Sequence, residues 1–564
     1  MCGLFGFVHL QREALTPAEI AAGRAARDTL AHRGPDQHSD YIWRNVYLGH
    51  RRLSILDLSE EGRQPMIAAD QKTAITVNGE IYNFQSARKA LGEELFRSMS
   101  DSEVVLHGYR AWGLDRLADT IDGMYACVIL DAERRQIHFV RDRAGIKPLI
   151  YARLGDYFLW ASELKAIVHF AKAMDLRLTH DNTALFDFLT YRYIPGAKTL
   201  YKDVCNLPPA SSLTLDFASG RETIAQYWRL ETAAAPVDHD QAAETLRSLV
   251  LESVREQMVA DVPVGFFLSG GIDSSILVAQ AAKLRSDIAT FSIGYDHAAH
   301  DETHYAQIVA DRFRTRHRKE ILTGADAENL IPLILQWYDQ PFADNSALPT
   351  YHVSRFARQN ATVALAGDGG DELFGGYRWY ARFARFQGWQ QPFQIFGKGP
   401  RLALGRRTQG IVQKLAQRLD LLSHTDPLEL YAMLIDGLPP SLTQRQRRML
   451  EIPDDYDALW HFRRFYRPDL PPRKRMQYLD FHTFLPDDIF TKVDRASMAV
   501  SLEVRVPFLS RKIIEYAFRL PEDFLYKNGQ LKGGLKYAFR HDLPAEILGR
   551  EKKGFSIPLH AWKG

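Results

Sequence analysis

From residue 264 onward one rhythm repeats: a short apolar run, a Gly- or Ser-rich loop, then a stretch with helical spacing. It reads VGFFLSGGIDSSILVAQAAKL, then ATFSIG with ETHYAQIVADRF, then TVALAGDGGDELFGG. Strands written as continuous apolar runs are buried on both faces, and amphipathic helices between them imply crossovers that cover the sheet. The region is therefore constrained to a parallel sheet with helices on both sides.

The preceding residues, to about position 170, read differently. KTAITVNGEIYN, YACVILDAERRQIHFVRDR and GIKPLIYARLGDYFLWASE hold β-branched and aromatic runs broken by turn residues, the pattern of hairpins in a layered α+β domain. Helices after Pro17 and along DSEVVLHGYRAWG would cover those sheets. LPPASS, FASG and ETAAAPVDHD shift the composition toward Pro, Ser, Gly and Ala, so the expected division is 1–206 as the first domain, 207–240 as linker and 241–564 as the second domain. A length of 564 residues favours two cores over one. Beyond about residue 380 the text is mostly helical, and its basic runs QRQRRML and PPRKRMQ read as solvated helix faces.

Charge narrows the class of partner. Lys and Arg (71) nearly balance Asp and Glu (69), a formal charge of +2, which gives no electrostatic reason for nucleic acid or an anionic membrane and leaves small molecules as the expected partners, with a homodimer possible. No stretch approaches the ~20 apolar residues of a membrane span, and MCGLFGFVHLQRE lacks a signal peptide's basic start and cleavage site. Cys2, Cys127 and Cys205 show no CxxC spacing, which argues against a disulfide framework or a zinc site and fits a reducing cytoplasm.

Cys2 is the first candidate for chemistry. A thiol attacks as thiolate, and at a pKa of about 8.5 little of it is ionised at neutral pH. If Met1 is removed, the α-amine of Cys2, with a pKa of about 7.7–8.0, sits beside the thiol and can take its proton. GLFGFV would hold that terminus in a buried strand. Cys127, inside MYACVIL, reads as a packed core thiol, and Cys205 has no assigned role.

The second candidate is FFLSGGIDSS, where a strand (Val264 to Leu268) runs into a Ser/Gly loop and a helix starting near Ser274. Loop and helix N-terminus direct backbone N–H groups and hydroxyls at one point, a phosphate site. It is not a P-loop, since the Gly397-Lys398 pair is followed by glycine. Asp273 within an anion-binding loop calls for a bridging cation, and Mg2+ suits oxygen ligands. Asp371, in the glycine-flanked turn with Asp368 and Glu372, is the second expected metal ligand.

Both halves carry series of motifs. HRGPD (His32 to Asp36), GHRRLSILD, NGEIYN and SDSEV, in that order after Cys2, resemble the glutaminase domain of class II glutamine amidotransferases, which are N-terminal nucleophile hydrolases. SGGIDSS (Ser269 to Ser275) resembles the pyrophosphate loop of the ATP pyrophosphatase group. With DQPFADNSALPTY, KVDRASMAVSLEVRVPFL and REKKGFSIPL added, nearly the whole chain is similar to glutamine-dependent asparagine synthetases of the B type.

That resemblance implies an αββα sandwich followed by a Rossmann-like parallel α/β domain with a helical C-terminal part. By position it implies Cys2 as nucleophile, Asn78 and Gly79 as oxyanion hole, and Arg52, Asn78, Gly79, Glu80 and Asp101 as the glutamine site. It places ATP on Leu268, Ser269, Gly270, Gly271, Asp273, Ser274, Ser275, Ile293, Ala366 and Gly367, with Mg2+ on Asp273 and Asp371. Lys552 would face the phosphates, and Asp368 stands where some members carry a catalytic glutamate. The implied reaction adenylates the side chain of aspartate, and ammonia from glutamine, reaching it through an internal tunnel, displaces AMP. A different acceptor carboxylate, a lactam-forming cyclase and a non-catalytic interaction protein are the alternatives. The text stops at HAWKG soon after GFSIPL, where longer members continue.

Overall fold

The first half is built on β1 (Cys2–His9), whose sequence CGLFGFVH is buried at every position. Its side chains alternate between two apolar environments, as a strand in a sheet covered on both faces requires. The strands that follow are β2 (Gln37–Trp43), β3 (Val46–Arg52), β4 (Met66–Ile67), β5 (Thr73–Ile81), β6 (Gly123–Asp131), β7 (Gln136–Arg141), β8 (Ile150–Leu154), β9 (Tyr157–Ala161), β10 (Val204–Asn206), β11 (Ser211–Asp216) and β12 (Arg221–Gln226). They form two six-stranded sheets, ordered β10-β8-β9-β1-β3-β2 and β12-β11-β7-β6-β5-β4. The inner faces meet through Leu4, Val8, Leu48, Val128, Phe139 and Leu213. Phe5 and Phe7 point the other way, onto Ala22, Ala26 and Phe170 of the helices Pro17–Asp28 and Leu164–Ala173. Helices Phe84–Leu91 and Glu103–Thr120 cover the second sheet, which completes the αββα sandwich.

The computed structural model of the chain describes residues 2–233, 236–297, 300–395, 426–435 and 443–554. Within it, the stretch 207–240 is only partly a linker. Leu213 and Leu215 alternate into the sandwich core and make β11 a strand of the second sheet, with β12 at its edge. LPPASS and FASG are the turns at the ends of β11, and their composition masks the short strand between them. The chain leaves the sandwich only after Gln226 and starts the next helix at His239.

The second half has β13 (Val264–Phe267), β14 (Ala289–Tyr295), β15 (Arg316–Leu322), β16 (Val363–Leu365) and β17 (Glu503–Arg505), in the order β15-β14-β13-β16-β17 with parallel pairings. The winding reverses between β13 and β16, so the crevice beyond their carboxyl ends is where a ligand binds in such a sheet. β17 departs from the expected helical character of the region after residue 380. It is three residues long, and its charged ends, Glu503 and Arg505, are fully buried, so no apolar run announced it. PPRKRMQ also departs from expectation: Lys474 is buried and donates Nζ to the Phe518 carbonyl at 2.6 Å, whereas the helix Gln444–Met449 buries no residue. Gly397-Lys398 and the GFSIPL text from Phe555 lie outside the described residues. No described helix is long and apolar enough to cross a membrane.

Buried ion pairs join the halves. Arg33 of HRGPD donates to Asp494 at 2.7 and 2.9 Å, to Glu163 at 2.8 Å and, through Nε, to the Cys2 carbonyl at 3.1 Å. Arg495 reaches Glu163 at 2.9 Å. Glu80 meets Arg505 at 3.2 Å, and Arg505 also bonds Glu503 at 2.7 Å.

Candidate active sites

Cys2 opens β1 opposite Arg52, the last residue of β3. Its thiol is almost fully buried, and burial pushes its pKa up, opposed by the backbone N–H of Leu53 and the charge of Arg52. The sulfur is therefore a protonated thiol that needs a base. His50, on β3, is unsuited: its ring bonds the Val77 carbonyl at 3.1 Å, and burial drives its pKa down to about 3.

Across from Cys2, β5 supplies Asn78, Gly79 and Glu80. Asn78 Oδ1 accepts the Cys2 backbone N–H at 2.9 Å, while its buried Nδ2 has no hydrogen-bond partner. The amide is thus fixed by the backbone of Cys2, with its donor end left over. Gly79 has φ +148°, and a Cβ there would lie 1.9 Å from the Met124 carbonyl oxygen, so only glycine fits.

Asp101 is buried, accepts the Ile81 N–H at 2.7 Å, and is raised in pKa chiefly by burial. Glu80 is raised well above the usual carboxylate range by burial, then by Asp101, with Arg505 opposing. The structure thus gathers Cys2, Asn78, Gly79, Glu80 and Asp101 at one end of the sandwich. Arg52, opposite Cys2 at the end of β3, is buried as well. Its terminal nitrogens donate to Gln37 Oε1 at 2.9 Å and to the carbonyls of Ser59, Leu56 and Asp57, which fixes the 56–59 loop beside the thiol.

The second site occupies the crevice beyond β13 and β16. Leu268 follows β13, Ile293 lies on β14, and Ala366 and Gly367 follow β16, so the apolar positions line up along adjacent strand ends. Ala366 N–H donates to the Arg505 carbonyl at 2.9 Å. The Ser269–Ser275 loop closes on itself: Ser274 Oγ lies 3.2 Å from Ser269 Oγ, and Gly271 N–H donates to Ser269 Oγ at 3.3 Å. The helix Ile272–Leu284 starts two residues earlier than expected and no side chain caps it, so its first N–H groups stay available for an anion. Arg550 donates to the carbonyls of Ser269 (3.4 Å) and Gly270 (2.8 Å) while paired with Glu302, holding the loop from behind.

Four charged groups converge on this loop. Lys532 Nζ bonds Asp273 and lies 2.6 Å from Asp371 Oδ1. Lys552 Nζ, expected to face the phosphates, pairs with Asp371. Asp273 Oδ1 is buried with no hydrogen-bond partner. Burial raises the pKa of Asp273, whereas the two lysines hold Asp371 far below the usual carboxylate range. Asp368 is raised by burial, with Lys492 opposing. Glu372 is buried, accepts Tyr377 Oη at 2.6 Å, and burial followed by the charge of Asp371 lifts its pKa to about 7. An aspartate pair with an unused buried oxygen fits Mg2+, an ion that takes one or two carboxylates and fills its octahedron from phosphates and water.

The asparagine synthase family matches residues 245–564, and a glutamine amidotransferase domain matches residues 1–228. The chain belongs to the asparagine synthase family. It is 30% identical over 577 residues to asparagine synthetase (glutamine-hydrolyzing) 1 of Bacillus subtilis, covering 100% of this chain and 88% of that protein. Asparagine synthetase (glutamine-hydrolyzing) 3 of the same organism is 29% identical over 582 residues, covering 99% of this chain and 88% of its own length.

Sequence reasoning for this asparagine synthase chain missed several groups that the tertiary structure places in or between the sites. Arg33 and Arg505 lay inside quoted motifs, HRGPD and EVRVPFL, without an assigned role. Arg550 opens another quoted motif, REKKGFSIPL, likewise without a role, and Lys532 sits in KNGQLKGG, outside every motif. Among these, Lys532 alone offered no motif signal.

Proposed function

We propose that the chain's two activities, glutamine hydrolysis and ATP-dependent asparagine formation, are divided between a glutaminase unit spanning the sandwich and a synthetase unit on the parallel sheet. Removal of Met1 frees the Cys2 amine. That amine takes the thiol proton, and Cys2 Sγ attacks the glutamine carboxamide. Asn78 Nδ2 and the Gly79 N–H receive the oxyanion, while Glu80 and Asp101 face the substrate's amino end and Arg52 holds the loop that walls the pocket. Collapse of the tetrahedral intermediate breaks the C–N bond and expels ammonia, which takes up the proton held by the Cys2 amine; water then hydrolyses the thioester to glutamate and frees the thiol.

In the second unit Leu268, Ile293, Ala366 and Gly367 line the adenosine, and Ser269, Gly270, Gly271, Ser274 and Ser275 bind the departing pyrophosphate. The aspartate side chain attacks the α-phosphorus, and ammonia displaces AMP from the acyl-adenylate. Asp273 and Asp371 would hold Mg2+, which when bound would supply charge neutralisation on the phosphates. Lys552 adds a further cation as pyrophosphate leaves, and Asp368 is the carboxylate nearest in sequence to the adenosine-lining residues. Arg505 links the units, since its side chain meets Glu80 and its carbonyl receives the Ala366 N–H.

The observation that carries this reading is the Asn78 amide, tied by Oδ1 to Cys2 and free at Nδ2. Three cysteines without a disulfide support a cytoplasmic setting. A homodimer belongs to this reading and is tested by light scattering. The deciding experiment supplies glutamine, ATP and magnesium with a panel of carboxylates and follows AMP, pyrophosphate and amide. L-aspartate should stimulate AMP and asparagine together; release of ADP and orthophosphate instead would end the synthetase assignment.

A further inference from the structure

Lys532 is a built feature of the synthetase site. Its side chain is 4% exposed, and its ammonium lies between Asp273, on the phosphate loop, and Asp371, on the turn after β16. Its backbone sits in the left-handed region at φ +54°, an uncommon conformation for a residue with a side chain. Gly376 makes room for it, since a Cβ there would lie 2.3 Å from Lys532 Cε and 1.8 Å from Asp371 Oδ1.

The ammonium therefore stands between the same two carboxylates that our functional reading gives to magnesium. No cluster of three or more metal-ligating side chains occurs among the described residues. A bare Mg2+ arriving here would have to break two charge-assisted contacts of a buried lysine and would gain only two protein ligands. A metal arriving with a triphosphate brings its own oxygen ligands and offers the displaced ammonium a new anionic partner.

We propose that Lys532 holds the metal position ahead of nucleotide binding, so that the divalent cation is admitted only together with ATP. This rests on Asp273 and Asp371 being metal ligands. The lysine also keeps the paired carboxylates from repelling the incoming triphosphate.

The test is Mn2+ binding to the full chain, read as loss of the free-ion electron paramagnetic resonance signal, with and without a non-hydrolysable ATP analogue. Wild type should show an Asp273-dependent site only when the analogue is present. Lys532→Gln should bind Mn2+ without the analogue about ten- to a thousandfold more tightly than wild type, the effect of one unit charge at ~4 Å in a polar site. Asp273→Asn should remove that gain, and Lys532→Arg should behave as wild type.

Asp273-dependent Mn2+ binding by wild type alone would overturn the proposal even if the glutamine variant fails to fold, and so would a folded Lys532→Gln that gains nothing. Mn2+ that binds with the analogue but ignores Asp273→Asn would overturn it for a different reason, by removing the metal ligands on which it rests.

Discussion

The two sites place charge by opposite means. Around Cys2 the polar groups hang from adjacent strands, and the backbone ladder fixes them: Asn78 and Gly79 are held by β5 pairing with β6, and the Asn78 amide is oriented by the main chain of β1. Around Asp273 the groups come from loops and turns after separate strands, and ion pairs with Lys532 and Lys552 hold them. In a strand-built site the backbone ladder itself orients the amide, and a donor can be left unpaired for a transition state. A loop-built site crowded with carboxylates keeps its shape only while cations sit among them, which ties its geometry to charge and to what it binds.

The sharpest break of this comparison separates the activities outright. Cys2→Ala should abolish glutamine-dependent synthesis yet make asparagine at near wild-type rate from ammonium, while Asp273→Ala should keep glutamate release and lose synthesis; parallel assays of glutamate, AMP and asparagine read both. Asn78→Ala should then lower glutaminase kcat about 10²- to 10³-fold with the fold intact, the usual cost of one oxyanion donor. A loss below threefold would mean that the free amide does not face the reacting carbonyl.

Removing the link between the sites should be felt as stability. Arg505→Leu leaves Glu80 and Glu503 buried without their shared cation, and the expected loss is about 3–5 kcal/mol in urea unfolding. The smallest effect is the pH dependence carried by Glu372 in the loop-built site. Glu372 has its pKa raised by burial to about 7. Its protonated form is thus favoured in the folded protein, and the associated stability is full below the unfolded carboxyl pKa and lost as pH rises through about 7. Unfolding free energies between pH 5 and 8, as an assay range, should fall more for wild type than for Glu372→Gln, by at most ~3 kcal/mol. Parallel profiles would show that Glu372 titrates as an ordinary carboxyl.

Legibility in the sequence followed locality. The capped helix after Pro17, the strands β1 and β5, and the parallel strand-loop-helix units were readable because apolar periodicity and turn residues act over a few positions. Ser269–Ser275 was readable for the same reason, as a strand, loop and helix start within one short segment. β11 was hidden by the Pro-, Ser- and Gly-rich turns around it, and β17 because two of its three residues are charged. The partners of Arg52, Gln37 and the 56–59 loop, were not legible because they are set by the tertiary fold.

The sequence alone determined the two-part architecture and singled out Cys2 and the Ser269–Ser275 loop as candidates, since each is written in contiguous residues. The tertiary structure decided which charges neutralise one another. Arg33 and Asp494 are 461 positions apart, and Lys532 and Asp273 are 259 apart. A buried ion survives only if an opposite charge arrives with it, and nothing in either segment specifies that partner; only folding brings the two together.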